Sequence, residues 1–190
     1  MIVKDKNQND IMDQKMLNSF EIDYNFKNKP INRFNNKPTI ENINERLSAL
    51  KAKINSITNC NLKDNAKQIV FSDGDCNSSI MIVGEGPGQK EDEVGKPFVG
   101  DAGQLLNKML SAIDINRENI YITNVVNFRP PNNRKPEPNE INRYSEFLRG
   151  HISIIEPKIL ILMGSTAMEA LFGSKIKISK ERGVWKEVII

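Results

Sequence analysis

Short apolar runs and apolar residues at helical spacing alternate along most of this chain. Three short runs have the length and composition of buried strands: residues 79–83, 120–126 and 159–163. Four segments carry apolar residues at helical spacing: residues 39–57, 105–113, 141–155 and 165–172. Strand–helix alternation predicts an α/β fold, a three-layer α/β/α sandwich around a central, mostly parallel sheet.

The loops after the predicted strands carry the unusual residues. In a parallel sheet the ligand-binding loops lie beyond the carboxyl ends of the strands. Here those loops are residues 84–103, 127–138 and 164–166. We therefore expect the functional site at this edge of the sheet.

Composition narrows the class of protein. Residues 1–38 are crowded with Asn, Lys and Asp and show little periodicity, which predicts a polar, disordered arm before a domain at 39–190. No apolar run approaches the roughly 20 residues of a membrane span, and the start has no signal-peptide core, so we expect a cytoplasmic protein. We also expect a monomer. The net charge of +3 permits a nucleic-acid partner without requiring one.

The first loop is dense in glycine. Residues 84–88 read GEGPG and residues 97–103 read PFVGDAG, and glycines let backbone amides approach a ligand closely. Two nucleotide-binding motifs fail here. Gln89 replaces the third glycine of the dinucleotide fingerprint, and a Walker A loop fails at Lys90 and Pro97. A nucleotide-binding protein of similar fold stays open as an alternative, because fold alone does not fix function.

The second loop is rigid and basic. Asn124 lies near the end of the second predicted strand, and residues 129–135 read RPPNNRK. An Asn side chain offers an adjacent donor and acceptor that match the edge of a pyrimidine, and Arg and Lys side chains can hold phosphates. Taken alone, this segment is better explained as a proline-rich connector.

Together these motifs resemble family-4 uracil-DNA glycosylases. The family's glycine-rich first motif, Pro-Phe-Val-Gly segment, strand-end Asn and Arg-Pro-Pro loop occur here in the same order, between about Cys60 and Trp185. The resemblance implies hydrolysis of the N-glycosidic bond of deoxyuridine in DNA, with uracil leaving as an anion, as a step of base excision repair. The partner it implies is uracil-containing DNA, whose target base is flipped out because the glycosidic bond is inaccessible within the stack.

The resemblance also assigns roles to individual residues. Phe98 stacks on the extruded uracil and Asn124 reads its polar edge. The pocket around the deoxyribose is lined by Gly84, Gly86, Pro87 and Gly88. The catalytic carboxylates, which orient water or stabilise the cationic sugar, are Glu85 and Glu91. From their charge and not from the resemblance, Arg129, Arg134 and Lys135 are expected to contact DNA phosphates.

The chain departs from the family at its iron–sulfur ligands. The family holds a [4Fe–4S] cluster with four cysteines, and the equivalent positions here are Ile57, Cys60, Phe128 and Tyr144. Cys76 is the other thiol of this sequence, so the usual ligand set cannot be completed. We expect no cluster and no other metal or cofactor, with Phe128 and Tyr144 filling the space by apolar packing.

A second departure concerns the family's C-terminal His-Pro-Ser motif, whose histidine donates to the uracil oxygen. The sequence reaches Ile190 without it, and we expect residues 188–190 to belong to a strand of an incomplete domain. The single histidine, His151, is expected to face solvent or to pack locally, and loss of such a donor costs about 10²- to 10³-fold in rate. Two interpretations stay open: an active or weakened uracil-DNA glycosylase, and a DNA-binding remnant without turnover.

Overall fold

The computed structural model describes residues 40–173 and 177–187. The α-helices are α1 (Ile40–Asn55), α2 (Asn61–Asn65), α3 (Gln89–Val94), α4 (Asp101–Ser111), α5 (Pro138–Ile155), α6 (Ser165–Phe172) and α7 (Ile178–Glu181). The strands are β1 (Asp73–Gly74), β2 (Ile80–Gly84), β3 (Tyr121–Asn124) and β4 (Ile159–Leu162). Two short 3-10 turns cover Arg117–Asn119 and Pro131–Asn133. The predicted arm at 1–38 and the predicted strand at 188–190 lie outside the described residues.

The four strands form one sheet in the order β1-β3-β2-β4. Strand β2 pairs in parallel with both β3 and β4, while the two-residue β1 runs antiparallel to β3. The predicted α/β fold with a mostly parallel sheet is therefore confirmed. The register places Gly84 opposite Asn124, so the carboxyl ends of β2 and β3 lie side by side.

Helices cover both faces of the sheet, because alternate residues of each strand point to opposite sides. On one face, Met81 and Tyr121 belong to a large core with residues of α1, α5 and α6. On the other face, Ile82 and Ile122 pack with Leu106 of α4. The three layers of the predicted sandwich follow from this alternation.

Helix α5 shows how the sequence sets an element that packs on the sheet. Pro138 lies in its first turn, where a missing N–H costs nothing, and the Glu140 carboxylate accepts a hydrogen bond from the Glu137 backbone N–H at 2.7 Å. The helix ends at Ile155, and the next residue, Glu156, has the left-handed conformation (φ 49°) and precedes Pro157. Its buried stripe includes Tyr144, and it fixes the distance between the basic loop and β4.

The structure differs from the sequence prediction in two places. Strand β1 is too short to produce an apolar pattern, and no pattern indicated it. The glycine-rich segment 84–103 is not a simple loop, since it contains α3 and the start of α4. Of the two environments expected for His151, solvent exposure and local packing, the structure shows local packing, because the residue is 1% exposed on the packed face of α5.

None of the helices in the described part of the chain is long and apolar enough to cross a membrane.

Candidate functional site

Gly84 and Asn124 occupy equivalent positions at the ends of two neighbouring parallel strands. Backbone pairing continues one step further, from the Val125 N–H to the Gly84 carbonyl at 2.9 Å, so the two ends are held together. A Cβ atom added to Gly84 would collide with the Asn124 side-chain oxygen and would lie 2.6 Å from the ring of Phe98. Gly84 is therefore the point at which an amide and an aromatic ring meet.

The side-chain amide of Asn124 is held in place but is not engaged. Asn124 is 3% exposed, and none of the described residues forms a hydrogen bond with its side chain. Its amide is also not among the fully enclosed polar groups without a partner, so it keeps a small opening to solvent. A buried amide with a free donor and acceptor is suited to bind a polar ligand, because burial without a partner costs free energy.

Phe98 has an unusual backbone conformation that aims its ring at Gly84. Its φ is 53°, in the left-handed region that large side chains seldom adopt. Gly103 of α4 packs against the Phe98 carbonyl so closely that a Cβ at position 103 would overlap it. Strained backbone of this kind costs of order 1–3 kcal/mol and persists only where the surroundings impose it.

Glu91 holds the backbone on either side of the Phe98 loop. Its carboxylate accepts hydrogen bonds from the N–H groups of Val99 (2.9 Å), Gly100 (2.7 Å) and Gly88 (3.1 Å). Both carboxylate oxygens are therefore occupied by backbone donors of the glycine-rich segment. The geometry gives Glu91 a role in shaping this segment, and its role as a catalytic carboxylate stays a prediction.

Glu85 differs from Glu91, because it is exposed and has one side-chain partner among the described residues. The Thr166 hydroxyl donates a hydrogen bond to the Glu85 carboxylate. Thr166 is fully buried in the first turn of α6, so it fixes the direction of the Glu85 side chain. Of the two predicted carboxylates, Glu85 is the one that reaches solvent beside the strand ends.

Arg117 and Asp73 were not found from the sequence. The Arg117 guanidinium donates to the carbonyls of Pro97 and Phe98 at 2.6 Å and 3.0 Å, and it pairs with Asp73 at 3.1 Å. Lys96 also contacts Asp73, at 3.0 Å. Burial raises the pKa of the Asp73 carboxyl, but hydrogen bonds and charges from Lys96 and Arg117 outweigh that effect and hold the pKa below its usual value. The dispersed positions 73, 96 and 117 form no motif, so no sequence signal pointed to them.

The basic loop presents its three cations in different states. Arg134 forms a bidentate ion pair with Glu140, at 2.8 Å and 2.7 Å, so its guanidinium is already neutralised. The hydrogen bonds that Arg134 donates to Glu140 hold the pKa of the Glu140 carboxyl below its usual value. Among the described residues, the Arg129 guanidinium donates a hydrogen bond only to the side-chain oxygen of Asn133, at 2.7 Å, and Lys135 is exposed. The geometry favours Arg129 and Lys135 over Arg134 as groups available to an anion.

A cleft of about 460 Å³ lies beside the Phe98 loop. Its lining joins the first turns of α3 and α4 to the basic loop and comprises Gln89, Lys90, Glu91, Glu93, Gly100, Asp101 and Asn133. Lys90 and Asp101 form an ion pair of 3.1 Å on its surface. The cleft therefore connects the glycine-rich segment with the loop that carries Arg129.

Three of the four positions expected for iron–sulfur ligands are buried in one large apolar core, and the fourth packs against it. Cys60 (5% exposed), Phe128 and Tyr144 belong to one apolar cluster, and Ile57 packs against it. The Cys60 sulfur lies 3.4 Å from the Tyr144 hydroxyl. The pKa of this hydroxyl is raised, mainly because the group is buried and to a lesser extent because of its contact with Cys60. A single thiol among carbon side chains does not fit a cluster that requires four thiolates. Within the described residues, no group of three or more His, Cys, Asp or Glu side chains is arranged to hold a metal ion.

His151 lies on the sheet face covered by α1, α5 and α6, beside Tyr121 at the amino end of β3, and so not at the carboxyl ends where the site lies. Its Nδ1 is 2.8 Å from the Tyr121 hydroxyl, and its ring centroid is 4.6 Å from that of Phe71. Its Nε2 has no hydrogen-bond partner among the described residues. Burial lowers the pKa of His151 to about 3, so the ring is neutral at physiological pH. The prediction that His151 packs locally is confirmed.

Comparison with known proteins matches this architecture. Residues 71–189 match the family model of the Uracil DNA glycosylase superfamily. The Type-4 uracil-DNA glycosylase of Thermotoga maritima is 41% identical over 140 residues, which cover 73% of this chain and 73% of the relative. The enzyme of the same name from Sulfurisphaera tokodaii is 41% identical over 151 residues, covering 75% and 68% of the two chains. The corresponding protein of Archaeoglobus fulgidus is 39% identical over 128 residues, covering 67% and 64%. The resemblance found in the sequence motifs is confirmed, and the chain belongs to the uracil-DNA glycosylase superfamily.

Proposed function

We propose that this protein removes uracil from DNA by hydrolysing the bond between the base and the deoxyribose. The observation that carries the proposal is the convergence of Gly84, Phe98 and Asn124 at the ends of two paired strands. An aromatic ring binds the face of a base, and an amide binds its edge through a donor and an acceptor. The names of the relatives, which refer to uracil-DNA glycosylase activity, support the same conclusion.

The base must leave the helical stack to reach this site. The strand ends lie at a rigid sheet edge, and the Asn124 amide opens only narrowly to solvent, so a stacked base has no access to it. We propose that the extruded uracil enters at the strand ends beside Gly84 and contacts Phe98 and Asn124, which the missing Cβ of Gly84 allows to lie close together. Gly86, Pro87 and Gly88 follow directly and surround the deoxyribose.

The hydrolytic step requires a water molecule and a stabilised leaving group. The bond from the sugar C1′ to the base nitrogen breaks with both electrons going to uracil, and the oxygen of water becomes bonded to C1′. The water loses one of its protons as this bond forms, and a proton is taken up by the uracil anion, so the products are an abasic sugar with a C1′ hydroxyl and neutral uracil. Glu85, oriented by Thr166, is the carboxylate placed to direct this water and to offset positive charge on the sugar. The Asn124 amide donates to the uracil oxygen, on which negative charge develops.

The DNA backbone is held by the basic loop. We propose that Arg129 and Lys135 contact phosphates, because both cations lack a carboxylate partner among the described residues. Arg134 contributes indirectly: its ion pair with Glu140 ties the loop to the first turn of α5. Because the four core positions do not fit an iron–sulfur cluster, we propose that the fold and the reaction proceed without one.

The test is release of uracil from a single-stranded oligonucleotide that carries one deoxyuridine, followed by alkaline cleavage at the abasic site. We expect cleavage by the wild-type protein and a loss of at least about 100-fold in Asn124→Ala, since removal of one such donor costs about 10²- to 10³-fold. Asn142→Ala is the matched control, because Asn142 is an exposed residue of α5 and is not one of the proposed pocket residues. Folded wild-type protein that binds DNA but releases no uracil would instead indicate a binding protein without turnover.

A further inference from the structure

We infer that Arg117 is a positioning residue for base recognition, acting through Phe98; this inference rests on the function proposed above. Its side chain is 19% exposed and lies beneath the Pro97–Phe98 segment, so it does not contact the base itself. Its effect is to hold the backbone that presents the Phe98 ring.

The Arg117 guanidinium donates four hydrogen bonds and makes one further ion-pair contact. The Nε group donates to Asp73 at 3.1 Å. One terminal nitrogen donates to the Phe98 carbonyl at 3.0 Å and the Asn107 side chain at 3.1 Å. The other donates to the Pro97 carbonyl at 2.6 Å and approaches Asp73 at 3.1 Å. A lysine has three donors on one atom and cannot reproduce this planar arrangement, so position 117 requires arginine.

The carbonyls and amides of the Phe98 loop are held by opposite charges. Arg117 binds the carbonyls of Pro97 and Phe98, and the Glu91 carboxylate binds the amides of Val99 and Gly100. The left-handed conformation of Phe98 lies between the two groups. The strained residue is therefore fixed on both sides by charge-assisted hydrogen bonds, which are about twice as strong as neutral ones.

The same side chain connects Phe98 to the strand that carries Asn124. Arg117 begins the 3-10 turn that leads directly into β3, and the Ile120 N–H donates to its carbonyl at 3.2 Å. Asp73, its carboxylate partner, lies on β1 opposite Ile122 of β3. Arg117 thus links the segment that carries the Phe98 ring to the strand that carries the Asn124 amide. Loss of its contacts should change the distance between these two base-binding groups.

The test compares Arg117→Lys with Arg143→Lys. Arg143 is the matched control because its guanidinium also donates to two backbone carbonyls, those of Asn59 and Thr58, at 2.8 Å and 2.7 Å, on a different part of the surface. Two quantities are measured for each protein. One is hydrogen exchange of peptides covering residues 96–104. The other is the ratio of affinities for single-stranded oligonucleotides carrying 2′-fluoro-2′-deoxyuridine, which resists hydrolysis, or thymidine.

For Arg117→Lys we expect faster exchange confined to residues 96–104 and a loss of about 10- to 100-fold in the uracil preference, since small misplacement of a binding group has effects of this size. Asp73→Asn removes the charge of the partner but keeps an acceptor, so it should change both quantities in the same direction by a smaller factor. Arg143→Lys should change neither.

Unchanged exchange and unchanged preference in Arg117→Lys would overturn the inference, as would equal losses in Arg143→Lys. If the wild-type protein itself shows no preference for uracil, the proposed function fails, and base positioning by Arg117 fails with it. In that case a change in exchange confined to Arg117→Lys would still show that the arginine holds the loop.

Discussion

Gly84 shows how one missing side chain makes a site. It ends a buried strand, and the space its Cβ would occupy is bordered by the Asn124 amide and the Phe98 ring. Its φ is not in the left-handed region, so conformational freedom is not the reason for glycine at this position. The close approach of two functional groups is the reason.

Gly84→Ala should therefore reduce uracil release strongly and the free energy of unfolding only moderately. The added methyl group would displace Phe98 or Asn124, so we expect at least about a 100-fold fall in uracil release. Overpacking of this kind costs about 1–3 kcal/mol in the free energy of unfolding. Activity is measured by oligonucleotide cleavage and stability by urea denaturation.

Gly150→Ala is the control for this substitution. Its added Cβ meets only the flexible end of Leu50, at 3.1 Å, and lies within α5, where alanine is the better helix former. We expect unchanged uracil release. Equal activity of Gly84→Ala and wild type would remove Gly84 from the proposed pocket.

At the residue scale, the sequence predicted the positions that lie in motifs and missed those that do not. Asn124 and Phe98 were identified because they occur in a recognisable order around glycines and prolines. Arg117 and Asp73 act through backbone carbonyls, and such contacts depend on chain geometry instead of residue type. The roles of the predicted site residues stay predictions until they are measured.

Among the elements, the short helix α3 does more than connect two segments. Its six residues place the Glu91 carboxylate where it accepts hydrogen bonds from the N–H of Gly88, just before α3, and from the N–H of Gly100, just before α4. Periodicity indicated no helix here, because six residues are too few to show an amphipathic pattern. The sequence therefore predicts a loop here. The catalytic role of Glu91 is implied by the family resemblance alone and stays a prediction.

Glu91→Gln should loosen this arrangement. The amide keeps one acceptor oxygen but loses the negative charge and the second acceptor, so we expect a loss of about 1–3 kcal/mol in the free energy of unfolding. Weaker uracil binding should accompany it, since Val99 and Gly100 adjoin Phe98. Urea denaturation measures the first effect, and affinity for the 2′-fluoro-2′-deoxyuridine oligonucleotide measures the second.

Glu93→Gln provides the comparison within the same helix. Glu93 is exposed, and its carboxylate contacts only the side chains of Gln89 and Lys67 among the described residues. Its substitution should change neither quantity appreciably, since exposed ion pairs contribute little. If both variants lost the same stability, the backbone contacts of Glu91 would not be the cause.

For the whole molecule, the single histidine dominates the dependence of stability on pH between 5 and 7. The folded protein keeps His151 neutral, with a pKa of about 3, whereas an unfolded chain binds a proton near pH 6.5. Below pH 6.5 the unfolded state therefore carries one more proton, and stability decreases as pH falls. The lowered pKa values of Asp73 and Glu140 act at lower pH, because they affect stability only as these carboxylates become protonated.

His151→Gln should remove this dependence. Between pH 6 and pH 5 we expect the free energy of unfolding of the wild type to fall by about 1 kcal/mol more than that of the variant, since one full proton corresponds to about 1.4 kcal/mol per pH unit. Urea denaturation at pH 7, 6 and 5 supplies the measurement. Parallel curves for the two proteins would show that His151 is not the titrating group.

The overall architecture was the part most accessible from the sequence. The parallel strands and the long helices follow from apolar periodicity, which reflects burial and needs no specific contact. The layer arrangement then follows from strand–helix alternation. The antiparallel β1 and the Asp73–Arg117 contact depend on pairing between distant segments, and periodicity along the chain carries no information about them.

The presence of Ile57, Phe128 and Tyr144 beside Cys60 has a consequence for how the protein is made in the cell. With no cluster, as proposed above, the domain reaches its final form as the polypeptide folds and needs neither iron delivery nor cofactor-assembly machinery. Oxidants that dismantle iron–sulfur centres find no such target at these four positions. The remaining thiol, Cys60, is 5% exposed, so we expect the fold to be equally stable in aerobic and in iron-depleted cells.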